Sequence, residues 1–374
     1  VHILETLQFG IEKNGDTLTA VVPSYRGDCT EMPDIAEEVA RVYGYENIPS
    51  TRPAAPISKG EAGFHHDVGE KISSILSSSG LNETVTFSFM HPDQLKKLLF
   101  KDGDAVYNAV PILNPITEDF PLMRTTLVPT LMDVLVRNQA VKNPSVGIYE
   151  IAPVYRPKQL PLTELPEQEF YVSGLLYGQR TPAEWPAKAE NYDFYDVKGL
   201  VEAVLQGLGI QADLEVSDWA LLHPGKAARY VKDGKVLCDF GELHPKAIDN
   251  YDVAGPVYVF EMHMDAILPL VNLLPDYHKV AKFPASSRDL AFLAPLATAN
   301  ADIVSVIKED GGDNLEAVHL FDMYTGKQVP QGYKSLAYSL VFRSEEGTLT
   351  DAAIQAPVDA IVKDLKEKFG CELR

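Results

Sequence analysis

A chain of 374 residues, 45% hydrophobic and 23% charged, is long enough for two or three domains and can bury a large core. Its formal net charge of −20 argues against a dedicated nucleic-acid coat, which would be basic, and leaves room for a local RNA contact. No apolar run is long enough to cross a bilayer, and Cys29, Cys238 and Cys371 lack metal-ligand spacing, as expected of unpaired thiols in a reducing cytoplasm.

Val1 falls inside a structured-looking pattern, so the sequence reads as a piece of a longer chain, with no signal peptide in view. Leu4 to Gly10 reads as a helix end and its cap. A turn at Asn14-Gly15-Asp16 leads into a strand over Leu18 to Val22. Pro33 suits the first turn of a helix whose apolar stripe is Ile35, Val39 and Val42. Asp34, Glu37 and Glu38 lie at i, i+3 and i+4 on that helix, and Asp28 in the preceding loop can fold back over them. Two explanations stand side by side. Acids favour the positive end of a helix dipole, with Glu37 pairing Arg41; alternatively, a hard divalent cation such as magnesium gathers four oxygen ligands.

The run Tyr25-Arg26-x-Asp28, then Asp34, then Glu37-Glu38-Val39-x-Arg41-x-Tyr43-Gly44-Tyr45, then Ile48-Pro49 is similar to the fifth domain of the beta subunit of bacterial phenylalanine–tRNA ligases. That resemblance implies a partial domain with a helix-turn-helix-like, DNA-binding-type fold. It also implies magnesium on Asp28, Asp34, Glu37 and Glu38, near a contact with an alpha subunit. A Pro-rich connector follows over 46–61, with Pro49, Pro53 and Pro56.

Next come a helix over Val68 to Ser79, with Val68, Ile72 and Leu76 on one face, and an alternating strand from Glu83 to Met90. Asn114-Pro115 and Pro121 frame a loop ending at Arg124. Thr126 is placed to cap a helix with Leu127, Leu131, Val134 and Leu135 at helical spacing. After a turn at Asn143-Pro144, an apolar strand runs from Val146 to Ile151 and on to Val154-Tyr155-Arg156. Further strands are expected over Phe170 to Tyr177, at Tyr230-Val231, around Asp239 to Gly241 and over Val257 to Glu261. A helix with Leu200, Val204 and Leu208 lies among them, and His223 to Arg229 reads as a turn. This is a mixed core on an antiparallel sheet.

The loop, amphipathic helix and Arg-ended strand resemble the middle of a class II aminoacyl-tRNA synthetase core, and more closely the beta-subunit core of the same family. A catalytic class II site needs arginines on the ATP α-phosphate, which the family supplies from an Arg-x-Glu strand and a glycine-rich strand ending in Arg. Here Tyr149-Glu150-Ile151 has no Arg before the Glu, and Arg156 is followed by Pro157-Lys158. Gly225 to Arg229 imitates the second strand only weakly. The core is therefore expected to be non-catalytic, with no catalytic residue in this chain. Lys226 and Arg229 read as solvated loop residues rather than RNA contacts.

From Ser286 the order is strand, helix (Asn300 cap, Ile303, Ile307, stop at Gly311-Gly312), strand Leu315 to Tyr324, strand Lys334 to Arg343, helix capped by Thr350, and a short strand Cys371 to Arg374. That is a β-α-β-β-α-β ferredoxin-like unit, with Pro357 expected to kink the last helix or mark its start. Asp322 and Tyr324 are two apart on one strand and share a face. An aromatic there can stack a splayed base, and a carboxylate can accept from a guanine edge. Residues 281–374 hold 10 Lys+Arg against 14 Asp+Glu, a net of −4, and Arg288, Lys334 and Arg343 are the phosphate candidates.

Phe283-Pro284-x-x-x-Arg288-Asp289, Phe321-Asp322-x-Tyr324-x-Gly326, Lys334-Ser335-Leu336-Ala337 and Thr348-Leu349-Thr350-Asp351 resemble the ferredoxin-fold anticodon-binding domain of the same beta subunit. The likeness puts Ala291, Asp322, Tyr324 and Ser335 around the first anticodon base. The whole implies three domains: 1–57 partial and helix-turn-helix-like, 58–279 a class II-like antiparallel core, and 280–374 ferredoxin-like. It implies the C-terminal part of a beta subunit that supports ATP-dependent attachment of phenylalanine to tRNA(Phe), in the cytoplasm, as part of an alpha2beta2 heterotetramer, without the upstream domains that edit. A self-sufficient class II ligase is opposed by the missing arginines. A nucleic-acid-binding or assembly module outside translation is the alternative, opposed by the acidic charge.

Overall fold

The computed structural model describes every residue except 53, 55–59, 61, 116, 183, 187, 275, 276 and 278. The chain forms two compact units, Val1–Glu61 and Ala62–Arg374. The boundary expected after residue 57, and Pro53 and Pro56 of the connector, lie outside the described residues.

The first unit opens with helix α1 (His2–Thr6) and hairpin strands β1 (Gly10–Asn14) and β2 (Thr17–Val21). Gly15 at φ +62 supplies the left-handed residue of the turn. Only β2 is legible in the sequence; its partner GIEKN carries too little alternation to announce a strand. Helix α2 (Met32–Tyr43) starts at Glu31, whose side chain and that of Asp34 form a reciprocal capping box, with Pro33 in the first turn. Leu4, Phe9 and Cys29 form its small core, with Ile35 and Val39 packed against them, while Val42 of the expected stripe stays exposed. A hairpin separates the two helices of this unit.

The second unit begins with helix α3 (Phe64–Ser78), whose Val68, Ile72 and Leu76 are fully buried. Strands β3 (Asn82–Glu83) and β4 (Phe89–Met90), helix α4 (Pro92–Lys97), strand β5 (Leu122–Met123) and helix α5 (Val128–Ala140) follow. Then come β6 (Ser145–Arg156), β7 (Glu167–Thr181), β8 (Glu190–Asn191), α6 (Phe194–Gly207), β9 (Asp213–Val216), β10 (Leu222–Lys232), β11 (Lys235–Leu243), α7 (Pro245–Asn250), β12 (Val257–His263) and α8 (Met264–Ile267).

The large sheet has the order β3-β6-β7-β12-β11-β10-β9, with β8 beside β7; β3–β6 is parallel and the other pairs are antiparallel. Both faces are covered. Tyr149, Val172 and Phe260 pack with α3 and α6 on one side, whereas Ile148, Leu175 and Val259 pack with α5 and α7 on the other. Period-two alternation divides each strand between the two cores. Each fully buried Leu, Ile or Phe contributes about 1.5–3 kcal/mol.

Three expectations change here. Glu83 to Met90 is not one strand: Thr86 leaves the ladder to bond the Glu150 carboxylate through both its N–H (3.2 Å) and its hydroxyl (2.7 Å), and Val85 and Phe87 end up exposed. His223 to Arg229 is not a turn but part of β10, whose register slips between Leu222 and Ala227 as a bulge. Thr126 does not cap α5 in the usual way; its hydroxyl donates to Glu261 Oε2 at 2.7 Å, and the same oxygen accepts the Leu127 N–H at 2.9 Å.

The last six elements are β13 (Ser286–Pro295), α9 (Asn300–Asp310), β14 (Leu315–Tyr324), β15 (Tyr333–Phe342), α10 (Asp351–Phe369) and β16 (Glu372–Leu373), in the sheet order β14-β15-β13-β16. This is the β-α-β-β-α-β order expected from the sequence. Ile303, Ile307, Ile354, Ile361 and Leu365 of the two helices bury Phe292, Leu336, Tyr338, Leu340 and Phe342 of the sheet. Thr350 caps α10 by accepting the Ala353 N–H, and the helix runs through Pro357 rather than starting there. Asn300 is the first residue of α9, not its cap, and its side chain accepts the Tyr338 hydroxyl at 2.7 Å.

Candidate functional site

Three clusters of charged groups are candidates. In the first unit, Arg26 lies between the acids. Its Nη2 meets Asp28 Oδ2 at 2.7 Å and its Nη1 meets Glu38 Oε2 at 3.0 Å, while Arg41 Nη2 reaches the same Glu38 oxygen at 2.7 Å. The guanidinium at Arg26 holds the Asp28 and Glu38 carboxyls down at about 2. The Glu31 and Thr30 N–H groups hold the Asp34 carboxyl low as it closes the capping box. Glu37 is exposed, and Arg41 takes Glu38 rather than the expected Glu37. The donor chemistry, hard carboxylate oxygen, is right for magnesium. The arrangement does not fit it: among the described residues no three such side chains are gathered around a cation position, and a protein cation already bridges two of the four.

In the second unit a polar row crosses the large sheet on its α5 side. Glu150 on β6 pairs with Ser173 on β7, Ser173 with Glu261 on β12, Glu261 with Asp239 on β11, and Asp239 with Arg229 on β10. Every member has a protein partner. Arg124, 2% exposed, places Nη1 at 2.9 Å from Glu150 Oε1 and donates Nε to the Pro153 carbonyl. Ser173 donates to the Phe260 carbonyl. Glu261 takes Thr126 and Leu127, and its burial pushes the carboxyl up to about 7. Asp239 accepts Ser217 and pairs with Arg229 at 3.2 Å, and Arg229 also pairs with Asp218.

Arg156, the end of β6, is neutralised by Glu169 at 3.1 Å and also donates to the Tyr171 hydroxyl and the Thr125 carbonyl. Lys226 pairs with Glu242 at 2.6 Å. These cations satisfy the protein's own carboxylates rather than point to a ligand.

The third cluster lies on the small sheet. Its helix-covered face carries Leu336, Tyr338, Leu340 and Phe342, so the alternate residues face away from the helices. Asp322 and Ala291 both pair with Ala337, and Tyr324 and Leu293 both pair with Ser335. Ala291, Asp322, Tyr324 and Ser335 therefore stand in two adjacent rows on one uncovered face. A bulge between Leu320 and Asp322 sets this parity. Tyr324 is 40% exposed and its ring lies along the following turn, where a Cβ at Gly326 would collide with it. Ser335 is 6% exposed.

The three phosphate candidates do not join this group. Arg288 pairs across with Leu340 and Lys334 with Ala294, both on the helix side. Arg288 is bonded to Asp351 at 2.5 Å and Lys334 to the Leu296 and Thr298 carbonyls. Arg343, just past the far end of β15, is bonded to Glu316 at 2.8 Å. Sequence reasoning chose them by residue type; strand parity was the signal that separates Arg288 and Lys334 from the uncovered face. It also passed over Arg374, whose N–H donates to the Ala291 carbonyl at 2.8 Å and which extends the β13–β16 ladder onto the uncovered face.

Comparisons with known proteins bear on all three regions. A family model described as "tRNA synthetase B5 domain" matches residues 1–45. One described as "Phenylalanyl tRNA synthetase beta chain CLM domain" matches 48–264, and one described as "Ferredoxin-fold anticodon binding domain" matches 281–374. The chain is 35% identical over 373 residues to the phenylalanine–tRNA ligase beta subunit of Clostridium tetani, and 36% identical over 373 residues to that of Clostridium acetobutylicum. Each match covers 99% of this chain and 46% of the relative, so the chain spans about half the length of the curated relatives it matches. Among solved structures, a pyrrolysyl-tRNA synthetase from Desulfitobacterium hafniense aligns at TM-score 0.42 and 16% identity, covering 63% of this chain and 74% of that one.

Proposed function

Because the chain belongs to the phenylalanyl-tRNA synthetase beta-chain family, we propose that it is the C-terminal part of a beta subunit that supports ATP-dependent attachment of phenylalanine to tRNA(Phe). In this reading it scaffolds a catalytic alpha subunit in an alpha2beta2 heterotetramer in the cytoplasm and reads the tRNA anticodon. Residues 1–57 form a partial helix-turn-helix-like domain, 58–279 the non-catalytic core and 280–374 the anticodon-binding domain.

One observation carries the reading: the uncovered face of the small sheet brings Ala291, Asp322, Tyr324 and Ser335 together. Tyr324 offers a half-exposed ring for a splayed base, and the exposed Asp322 carboxylate can accept from the N–H groups of a guanine edge. The core supports the other half. Its Arg124, Arg156 and Arg229 are held by protein carboxylates, which suits a packing scaffold better than an ATP site. Arg288, Lys334 and Arg343 contact RNA in this reading only by leaving Asp351, the Leu296 and Thr298 carbonyls, and Glu316. Magnesium would take Asp28, Asp34, Glu37 and Glu38 only after Arg26 has left Asp28 and both Arg26 and Arg41 have left Glu38.

The test is charging of tRNA(Phe) by the full-length beta subunit reconstituted with its alpha subunit. Tyr324→Ala removes a base-stacking ring worth about 1–3 kcal/mol, so kcat/KM for tRNA falls about 5- to 150-fold. Unchanged charging overturns the assignment.

A further inference from the structure

We propose that Arg374 is a further tRNA-binding residue, holding the phosphodiester beside the base that Asp322 and Tyr324 read; this rests on the anticodon-binding reading above. The register makes the case. Asp322 and Ala291 flank Ala337, and the Arg374 N–H bonds the Ala291 carbonyl at 2.8 Å, one residue on from the pair Phe292–Leu373. Asp322, Ala337, Ala291 and Arg374 thus form one row across all four strands. Three strand spacings make that row about 14 Å long. Its middle is two alanine methyl groups, so nothing tall stands between the carboxylate and the guanidinium.

Arg374 differs from the other cations of this sheet. Arg288 and Lys334 point to the helices, and Arg343, past the opposite end of β15, is held by Glu316. The described side-chain contact of Arg374 is a 3.4 Å bond from Nη2 to Gln328 Oε1, in the loop between β14 and β15. By its register with Ala291 the side chain starts from the uncovered face, and this contact draws its tip toward the loop that joins β14 and β15. No carboxylate side chain lies within ion-pair distance of it among the described residues, whereas Arg288 and Arg343 each hold one. A neutral amide at the limit of hydrogen-bond distance is a weak partner, readily exchanged for an anion.

The chemistry divides the row. A carboxylate repels phosphate and accepts from base N–H groups, while the planar guanidinium fork matches phosphate oxygens in pairs. The row is longer than one base is wide, so its two ends grip different parts of the strand. The domain carries a net of −4, and an unpaired cation on the very face that meets RNA offsets that repulsion locally.

The experiment uses the full-length beta subunit assembled with its alpha subunit and a tRNA(Phe) transcript. Affinity is measured from 50 to 200 mM salt for wild type, Arg374→Ala, Arg374→Lys, Lys368→Ala and Tyr324→Ala. Loss of one phosphate contact to single-stranded RNA lowers the slope of log affinity against log salt by about 0.7. Arg374→Ala is expected to show that change with about 3- to 10-fold weaker binding at low salt. Arg374→Lys should recover the slope but only part of the affinity, and Lys368→Ala, on helix α10 and paired with Glu309 and Asp364, should leave the slope alone. If Arg374→Ala keeps the wild-type slope while Tyr324→Ala weakens binding, the role of Arg374 is wrong and the anticodon reading survives. If neither variant changes binding, both fall. Weaker binding by Arg374→Ala at an unchanged slope marks a structural effect and also overturns the proposal.

Discussion

Two rows of side chains, one on each of the two main sheets of the second unit, run from an acid to an arginine and come to opposite ends. In the core, Glu150, Ser173, Glu261, Asp239 and Arg229 cross five strands, and each is bonded to another part of the protein. In the small sheet, Asp322 and Arg374 close a row whose middle is Ala337 and Ala291, and neither end is ion-paired among the described residues. Both sheets alternate, so that residues two apart on a strand share a face. What differs is coverage: helices close both faces of the core sheet and only one face of the small sheet. Buried charge has to be matched internally, whereas charge on an uncovered face is solvated and, in the proposed reading, available to a ligand.

The strongest way to break the comparison is to unmatch the buried row. Glu150→Ala leaves Arg124 charged and 2% exposed, and the expected loss is about 3–5 kcal/mol in urea denaturation. Pairing it with Arg124→Met should recover most of that loss; a double variant no better than the single would mean the pair is not the unit that matters.

Glu261 sharpens the contrast through pH. Burial holds its carboxyl at about 7, above the ordinary 4.5. The folded state therefore keeps a proton that the unfolded chain releases between those values. The stabilising contribution is complete below about pH 4.5 and is lost as pH rises through about 7. In Glu261→Gln the new amide oxygen can accept from Thr126 and Leu127 without titrating. The stability gap between wild type and that variant should therefore shift by on the order of 2–3 kcal/mol between pH 5 and pH 8, against wild type at the higher pH. Parallel stabilities at the two pH values would refute the buried assignment.

On the uncovered face the effects move from stability to binding. Tyr324→Ala and Asp322→Asn should each cost about 1–3 kcal/mol in tRNA affinity while shifting denaturation by less than about 0.5 kcal/mol. A large loss of stability instead would place both among the packed residues. The smallest effect concerns the first unit: Arg26→Gln frees Asp28 and leaves Glu38 paired only with Arg41, so millimolar magnesium should raise the melting temperature of that variant by a few degrees more than wild type, about what 1 kcal/mol gives. Equal responses would leave the four acids without a metal role.

Much of this was legible in the sequence, and the rest failed for identifiable reasons. The clean alternation of Leu336, Tyr338, Leu340 and Phe342 announced both the strand and its buried face, and Asp322 and Tyr324 shared a face as their spacing required. The split at Thr86 was invisible because its cause is a buried ion pair built from Arg124 and Glu150, distant in sequence. Thr126 had the look of a helix cap, but its partner Glu261 comes from a strand far along the chain. The four acids of the first unit suggest a cation, and two of them, Asp28 and Glu38, meet one in the Arg26 guanidinium. Arg288 and Lys334 were chosen for charge alone, although their positions opposite Leu340 and Ala294 put them behind the sheet.

The most direct measurement is phenylalanine-dependent ATP–pyrophosphate exchange by the full-length beta subunit, first alone and then with its alpha subunit. The expected result is no exchange from the beta subunit alone and exchange once the alpha subunit is added, unchanged by Tyr324→Ala because the activation step does not use the face proposed to meet tRNA. Exchange from the beta subunit alone would contradict the division between the two sheets, since Arg124, Arg156 or Arg229 would then have left its carboxylate partner to hold ATP.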